Sequence, residues 1–144
     1  MKDIALLIRE YNKAWQGSNA IYENWAKKKG FSYTAFLIIT SLSDEERCTQ
    51  NSISTTWQIP KQSINSILSV FVKEGLVKFE VDNNDRRAKI IKLTEKGKER
   101  FLPIIEELHS LELKAASTFG KEKLTMLLEY TKELNIEIEK EMKE

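Results

Sequence analysis

The chain has 144 residues, 41% of them apolar and 31% charged, with a formal net charge of +1. That length suits one domain or one compact module with appendages, and that apolar share can build a core without disulfide or metal staples. One cysteine and one histidine exclude a disulfide framework and a Cys/His zinc cluster. No apolar run approaches the roughly 20 residues that span a bilayer. The N-terminal stretch MKDIALLIREYNKAW scatters charges through its length and does not read as a signal peptide. A soluble, cytoplasmic chain with no membrane association is expected. The charge is unevenly placed: residues 1–60 carry 7 basic and 6 acidic groups, residues 61–98 carry 9 and 5, and residues 104–144 carry 6 and 10. A basic middle points to an anionic partner, although solvated helix faces give the same pattern.

In chain order, Ile4, Leu7, Ile8, Tyr11 and Trp15 fall at helical spacing, and Ile21, Tyr22 and Trp25 continue the stripe past Gly17. This predicts one long, bent helix that ends at Gly30. Ser32 is placed to cap a second helix with Phe36, Ile39 and Leu42 inward and with Leu37 and Ile38 widening the apolar face. A polar loop is expected over Ser43–Arg47, followed by a short third helix from about Thr49 that includes Ile53 and Trp57. Pro60 suits the first turn of a fourth helix, since its missing N–H would be unpaired there. Ile64, Ile67, Leu68, Phe71 and Val72 form the buried face of this helix, and Gly75 stops it. Lys61, Gln62, Asn65, Ser66 and Ser69 occupy its other faces, and all can hydrogen-bond.

Leu76–Val81 then alternates apolar and polar residues, with Val77, Phe79 and Val81 on one face. Residues 82–87, Asp-Asn-Asn-Asp-Arg-Arg, are rich in turn formers, and Ala88–Leu93 returns as a second strand. Thr94 caps a fifth helix carrying Phe101, Ile104, Ile105, Leu108, Leu111 and Ala115, with a bend or break expected at Pro103. Gly120 separates it from a last helix with Leu124, Leu127, Leu128, Leu134, Ile138 and Met142.

This order of elements is that of a winged helix-turn-helix. The predicted class is mainly α with a small β-hairpin wing, flanked by N- and C-terminal dimerisation helices. The major groove of DNA admits one helix whose N-terminal side chains reach base edges, and here that end presents Lys61, Gln62, Ser63, Asn65 and Ser66. A hairpin beside it can lay arginines along the neighbouring minor groove.

The residues also resemble a family. Ile53-Ser54, Ile59-Pro60-Lys61-Gln62-Ser63-Ile64-Asn65 and Lys73-Glu74-Gly75-Leu76-Val77 are similar to the helix-turn-helix of the multiple-antibiotic-resistance regulator (MarR) family. Asp85-Arg86-Arg87, and after five residues Leu93-Thr94-Glu95-Lys96-Gly97, are similar to that family's Asp-x-Arg wing and Leu-Thr-x-x-Gly helix start. The motif-bearing similarity covers Ser32 to Gly97. The chain departs from the pattern at Ser54, where the family usually has alanine, so its hydroxyl needs a partner. It also places Asp44, Glu45 and Glu46 shortly before the DNA-reading helices, where they are expected to turn away from phosphates.

The resemblance implies a homodimer in which residues 1–30 form an N-terminal dimerisation helix, 31–100 the DNA-binding domain and 101–144 the C-terminal dimerisation helices. The expected function is sequence-specific binding to a near-palindromic double-stranded operator, as a repressor. Expected contacts are Lys61, Gln62, Ser63, Asn65, Ser66 and Ser69 in the major groove and Arg86 and Arg87 in the minor groove, with Asp85 orienting Arg87 through a salt bridge. A small aromatic ligand that releases DNA is implied, with Tyr11, Trp15, Tyr22, Trp25 and Phe36 as its candidate lining; the same aromatics could equally be core or dimer packing. Likewise the terminal apolar stripes could pack on each other within one chain. Cys48, outside the first helix where the family's peroxide-sensing cysteine lies, is a weak redox candidate, and His109 alone does not make a metal site. No phosphate loop, nucleophile–histidine pair or metal cluster is present, so neither an enzyme nor a cofactor is expected. The alternative function is a winged-helix adaptor that binds protein rather than DNA.

Overall fold

The computed structural model describes residues 3–143. Its elements run α1 (Ile4–Lys28), α2 (Tyr33–Asp44), α3 (Gln50–Trp57), α4 (Lys61–Lys73), β1 (Val77–Val81), β2 (Lys89–Leu93), α5 (Glu95–Phe119) and α6 (Lys121–Met142). The chain falls into two compact units, residues 1–104 and 105–144, so the boundary lies within α5.

The first unit is built around α2. The Ser32 hydroxyl accepts from the Ala35 amide at 3.2 Å and so starts the helix. Phe36, Ile38, Ile39 and Leu42 are buried, which makes α2 apolar on more than one side. It contacts α1, α3, α4 and β2. Trp25 of α1 meets Phe36 edge-on at 5.8 Å between ring centroids. A second aromatic cluster joins Phe31 to Phe101 at 5.7 Å and Phe71 to Phe101 at 5.3 Å, tying α4 to the start of α5. From α4 the core receives Ile64, Leu68 and Phe71, each contributing about 1.5–3 kcal/mol by leaving water.

Several expectations are corrected. Pro103, the expected site of a bend or break, lies inside a continuous α5. Proline removes only the N–H that residue 99 would accept, and the rest of the helix supports the turn. The second helix extends through Asp44, shortening the predicted polar loop. Pro60 is the N-cap of α4 rather than its first residue, with ψ of 136°. Val72, expected in the core, is 42% exposed because it lies a step around the helix from the Ile64–Leu68–Phe71 stripe.

The hairpin is antiparallel, with Val77 opposite Leu93, Phe79 opposite Ile91 and Val81 opposite Lys89. Its predicted apolar face is buried only at its base. Val77, Ile91 and Leu93 are buried, whereas Phe79 is 46% and Val81 64% exposed, because the ribbon projects away from the core. The opposite face carries Glu80, whose carboxylate meets Lys92 at 3.0 Å and Lys78 at 3.6 Å. The loop before α3 pairs with β2 through the Ile91 amide, which donates to the Cys48 carbonyl at 2.8 Å.

The second unit comprises the remainder of α5, and α6 after a single-residue break at Gly120. Ile105 and Leu108 are buried. In α6 no described residue is buried, and Leu124, Leu127, Leu128, Tyr130 and Ile136 are exposed.

Candidate nucleic-acid interface

The turn between α3 and α4 is held by side chains whose chemistry suits the task. Thr49 and Ser52 form a reciprocal capping box that starts α3. Gln58 ends it in the left-handed region, with φ of 55°. The Ser54 hydroxyl donates to the Ile59 carbonyl at 2.7 Å, so the residue that departs from the expected alanine finds its partner in the turn itself. The Gln50 side chain donates to the Lys61 carbonyl at 3.0 Å, locking the two helix starts together. The Trp57 indole N–H donates to the Ser41 hydroxyl at 2.7 Å, fixing the pair against α2.

These bonds hold α4 with Lys61, Gln62, Ser63, Asn65 and Ser66 all exposed along its first two turns. No side chain caps α4, so its first amide donors and the positive end of its dipole face outward, an arrangement that favours an anion. Among the described residues the side-chain amides of Gln62 and Asn65 hold no hydrogen bond. The serines differ: Ser66 donates to the Gln62 carbonyl at 3.0 Å and Ser69 to the Asn65 carbonyl at 2.8 Å. Their hydroxyl protons are spent within the helix, so each must rotate before it can donate to a phosphate oxygen.

At the wing tip the expected Asp85–Arg87 salt bridge is replaced by a backbone arrangement. The Asp85 carboxylate accepts from the Arg87 amide at 3.0 Å, and the Ala88 amide donates to the Asp85 carbonyl at 3.0 Å. A short aspartate folding back on the amide two residues on is a compact way to close a turn, and it leaves both guanidinium groups outside the turn. Arg86 and Arg87 are exposed, and among the described residues neither has an ion-pair partner.

A further contact, not expected from the sequence, anchors the wing. Asp82, only 5% exposed, accepts from Nε of Arg47 at 3.0 Å and from its Nη2 through the same oxygen. Its other oxygen accepts from the Asn84 amide at 2.9 Å. Hydrogen bonds from the Arg47 guanidinium, and then from the Asn84 amide, hold the Asp82 carboxyl below the usual carboxylate range.

Helix and wing enclose an open groove of about 520 Å³ lined by Gln50, Asn51, Asn65, Asp85, Arg87 and Lys89, with Leu68, Phe79 and Ile91 at its floor. The structure thus brings together three of the expected site residues, Asn65, Asp85 and Arg87. Lys61, Gln62, Ser63, Ser66 and Ser69 stand on α4 outside its lining. It also adds Gln50, Asn51 and Lys89, which the sequence reading passed over. The available signal was the Thr49-x-x-Ser52 cap, which places residues 50 and 51 in a first helical turn beside α4. Lys89 lies two residues past Arg87 on the same hairpin.

The five aromatic candidates for a ligand site separate. Phe36 is core, Trp25 packs edge-on against it, Tyr11 and Tyr22 are half-buried along α1, and Trp15 is exposed. None of the five lines the groove between α4 and the wing. Cys48 is 1% exposed, and burial, followed by the nearby Glu45 charge, pushes its thiol up to about 11. A thiol in that state is protonated at neutral pH and makes a poor oxidant sensor. No group of three or more His, Cys, Asp or Glu residues that could hold a metal occurs among the described residues, and none of their helices is long and apolar enough to cross a membrane.

A helix-turn-helix with an uncapped second helix and a cationic hairpin alongside defines a winged helix-turn-helix protein. Residues 29–88 match the model of the MarR family. A MarR family regulator from Neisseria meningitidis is 25% identical and superposes with a TM-score of 0.80, covering 99% of this chain and 97% of that one. The transcriptional regulator BldR from Sulfolobus solfataricus is also 25% identical, with a TM-score of 0.68 over 95% of this chain and 99% of its own. A Listeria monocytogenes protein of the family, solved as a complex with 26mer DNA, shares the fold at 20% identity, with a TM-score of 0.69 over 96% of this chain and 90% of its own. No curated protein matches the chain by sequence.

Proposed function

We propose that this protein is a sequence-specific duplex-DNA-binding regulator that acts as a homodimer on a near-palindromic site and represses transcription. The observation that carries the reading is the groove in which Gln50, Asn51 and Asn65 face Arg87 and Lys89 across the gap between helix and wing. Amide side chains can pair with adenine edges while cations meet phosphates, so one surface supplies both base reading and backbone attraction. Lys61, Gln62, Ser63 and Asn65 enter the major groove with the N-terminal turns of α4, joined by Ser66 and Ser69 once their hydroxyls rotate. Arg87, with Arg86 beside it, extends into the adjacent minor groove, and Asp85 sets the Arg87 backbone for that reach.

A second copy is called for by the apolar side chains left in water. Ile4, Leu7 and Ile21 on α1, Leu113 on α5, and Leu127, Leu128 and Ile136 on α6 are exposed, more apolar surface than a monomer usually leaves in water. Two winged domains would then sit about one DNA turn apart. A small aromatic ligand that weakens DNA binding belongs to the same proposal, and of its five candidate lining residues Tyr11, Trp15, Tyr22 and Trp25 on α1 are at least partly accessible, while Phe36 is buried.

Fluorescence anisotropy with labelled duplex across a salt series tests this reading. Affinity should fall steeply with salt, each phosphate contact adding about −0.9 to the slope of log K against log salt. A salt-independent affinity, or no affinity, would move the assignment to a winged-helix adaptor that binds protein.

A further inference from the structure

We infer that Arg47 is a positioning residue for the wing: it does not read DNA but holds Arg87 in place through Asp82. The inference rests on the DNA-binding reading above. Regular pairing in the hairpin ends at Val81 opposite Lys89, and residues 83–87 beyond it are exposed. Left to itself, such a loop must be ordered at the moment of binding, at the expense of affinity. Here it is ordered beforehand by a chain of contacts that begins outside the wing.

Arg47 stands in the loop between α2 and α3, 35 residues from its partner. It grips one oxygen of Asp82 with Nε and Nη2, while the other oxygen fixes the Asn84 amide. The Asp82 amide donates to the Ala88 carbonyl at 3.3 Å, and Ala88 in turn donates to Asp85, whose carboxylate holds the Arg87 amide. The same loop is pinned to β2 through Cys48 and Ile91. Arg47 therefore stands at the fixed end of a hydrogen-bonded series whose free end carries Arg87. The Arg47 side chain is 56% exposed while that of Asp82 is 7% exposed, so the acid is enclosed by the wing and the arginine closes over it. One amide donor and two guanidinium donors use both oxygens of Asp82. Asn at this position would keep an acceptor for Asn84 but turn an N–H₂ group towards Arg47.

The test uses DNA affinity of the full-length protein and four variants: Arg47→Gln, Asp82→Asn, Arg87→Ala and the double variant Arg47→Gln/Arg87→Ala. Positioning predicts that Arg47→Gln and Asp82→Asn each weaken binding, by about tenfold, although one removes a positive charge and the other a negative one. It also predicts that the double variant binds no more weakly than Arg87→Ala alone, since Arg47 acts through the wing arginine. If Asp82→Asn binds as well as or better than the parent while Arg47→Gln is weakened, Arg47 acts by its own charge and the inference is overturned. Additive losses in the double variant overturn it too. Thermal midpoints of all four variants separate wing disorder from unfolding; should Asp82→Asn fail to fold, the Arg47–Arg87 cycle alone decides. A parent protein that does not bind DNA, or an Arg87→Ala variant that binds like the parent, strikes the DNA reading instead.

Discussion

At Gly97 a single missing carbon decides whether the wing can join the fifth helix. A Cβ built there would stand 2.0 Å from the Leu76 carbonyl oxygen, which is itself the acceptor for the Thr94 amide at 3.0 Å. The Thr94 hydroxyl caps the helix by accepting from Gly97 at 3.1 Å and donates to the Gly75 carbonyl at 2.6 Å. The Leu-Thr-x-x-Gly sequence is thus a seam where strand, helix start and the end of α4 meet backbone to backbone. Gly97→Ala should therefore lower unfolding free energy by on the order of 2–4 kcal/mol, as overpacking that moves backbone does; a denaturant titration with unchanged stability would contradict it. Asp82 gives a pH prediction at the same scale. Its folded pKa is depressed below the ordinary 3.8, so the stability it supplies is present above that pH and is lost as acid protonates it. Asp82→Asn should remove that part of the acid limb in a comparison of urea midpoints at neutral and acidic pH, and an unaltered acid limb would contradict the assignment.

At the scale of elements, α4 is fixed at both ends by different devices. Its start is held by Pro60 and by the Gln50 bond from α3. Its end is a left-handed closure in which Gly75, with φ of 74°, donates to Val72 at 3.0 Å and Leu76 donates to Phe71 at 2.8 Å. Nothing crowds a Cβ at Gly75, so Gly75→Ala should cost only the conformational strain, about 1 kcal/mol. That the two glycine variants differ is measurable in one set of denaturation curves; equal losses would mean that the seam at Gly97 is looser than drawn. The ends of the helices were legible in the sequence because Ser32, Thr49, Gly75 and Thr94 act locally. Phe79, Val81 and Val72 misled because periodicity reports which face a residue lies on, not how far the core extends beneath it. The Arg47–Asp82 contact was not legible, since nothing local links a loop to an acid 35 residues on. The Asp85–Arg87 pairing was assigned to side chains where the short aspartate had a nearer backbone donor.

At the scale of the molecule, one chain leaves a set of apolar residues exposed. Leu127, Leu128 and Ile136 offer no polar groups to water, and the homodimer reading assigns them to a partner copy. Sedimentation equilibrium at micromolar protein should give the mass of two chains. Leu127→Glu should shift it toward the mass of one, and operator affinity should fall on the order of a hundredfold as the second half-site is lost. A parent protein that sediments as a monomer would contradict the dimer while leaving the winged domain intact.

The most direct test of the central claim is selection of random duplex DNA by the purified protein at moderate salt, read by sequencing. The account predicts recovery of a near-palindromic motif with half-sites about one helical turn apart, and loss of its enrichment in an Asn65→Ala/Arg87→Ala variant. Recovery of no motif by a folded, dimeric protein would contradict it.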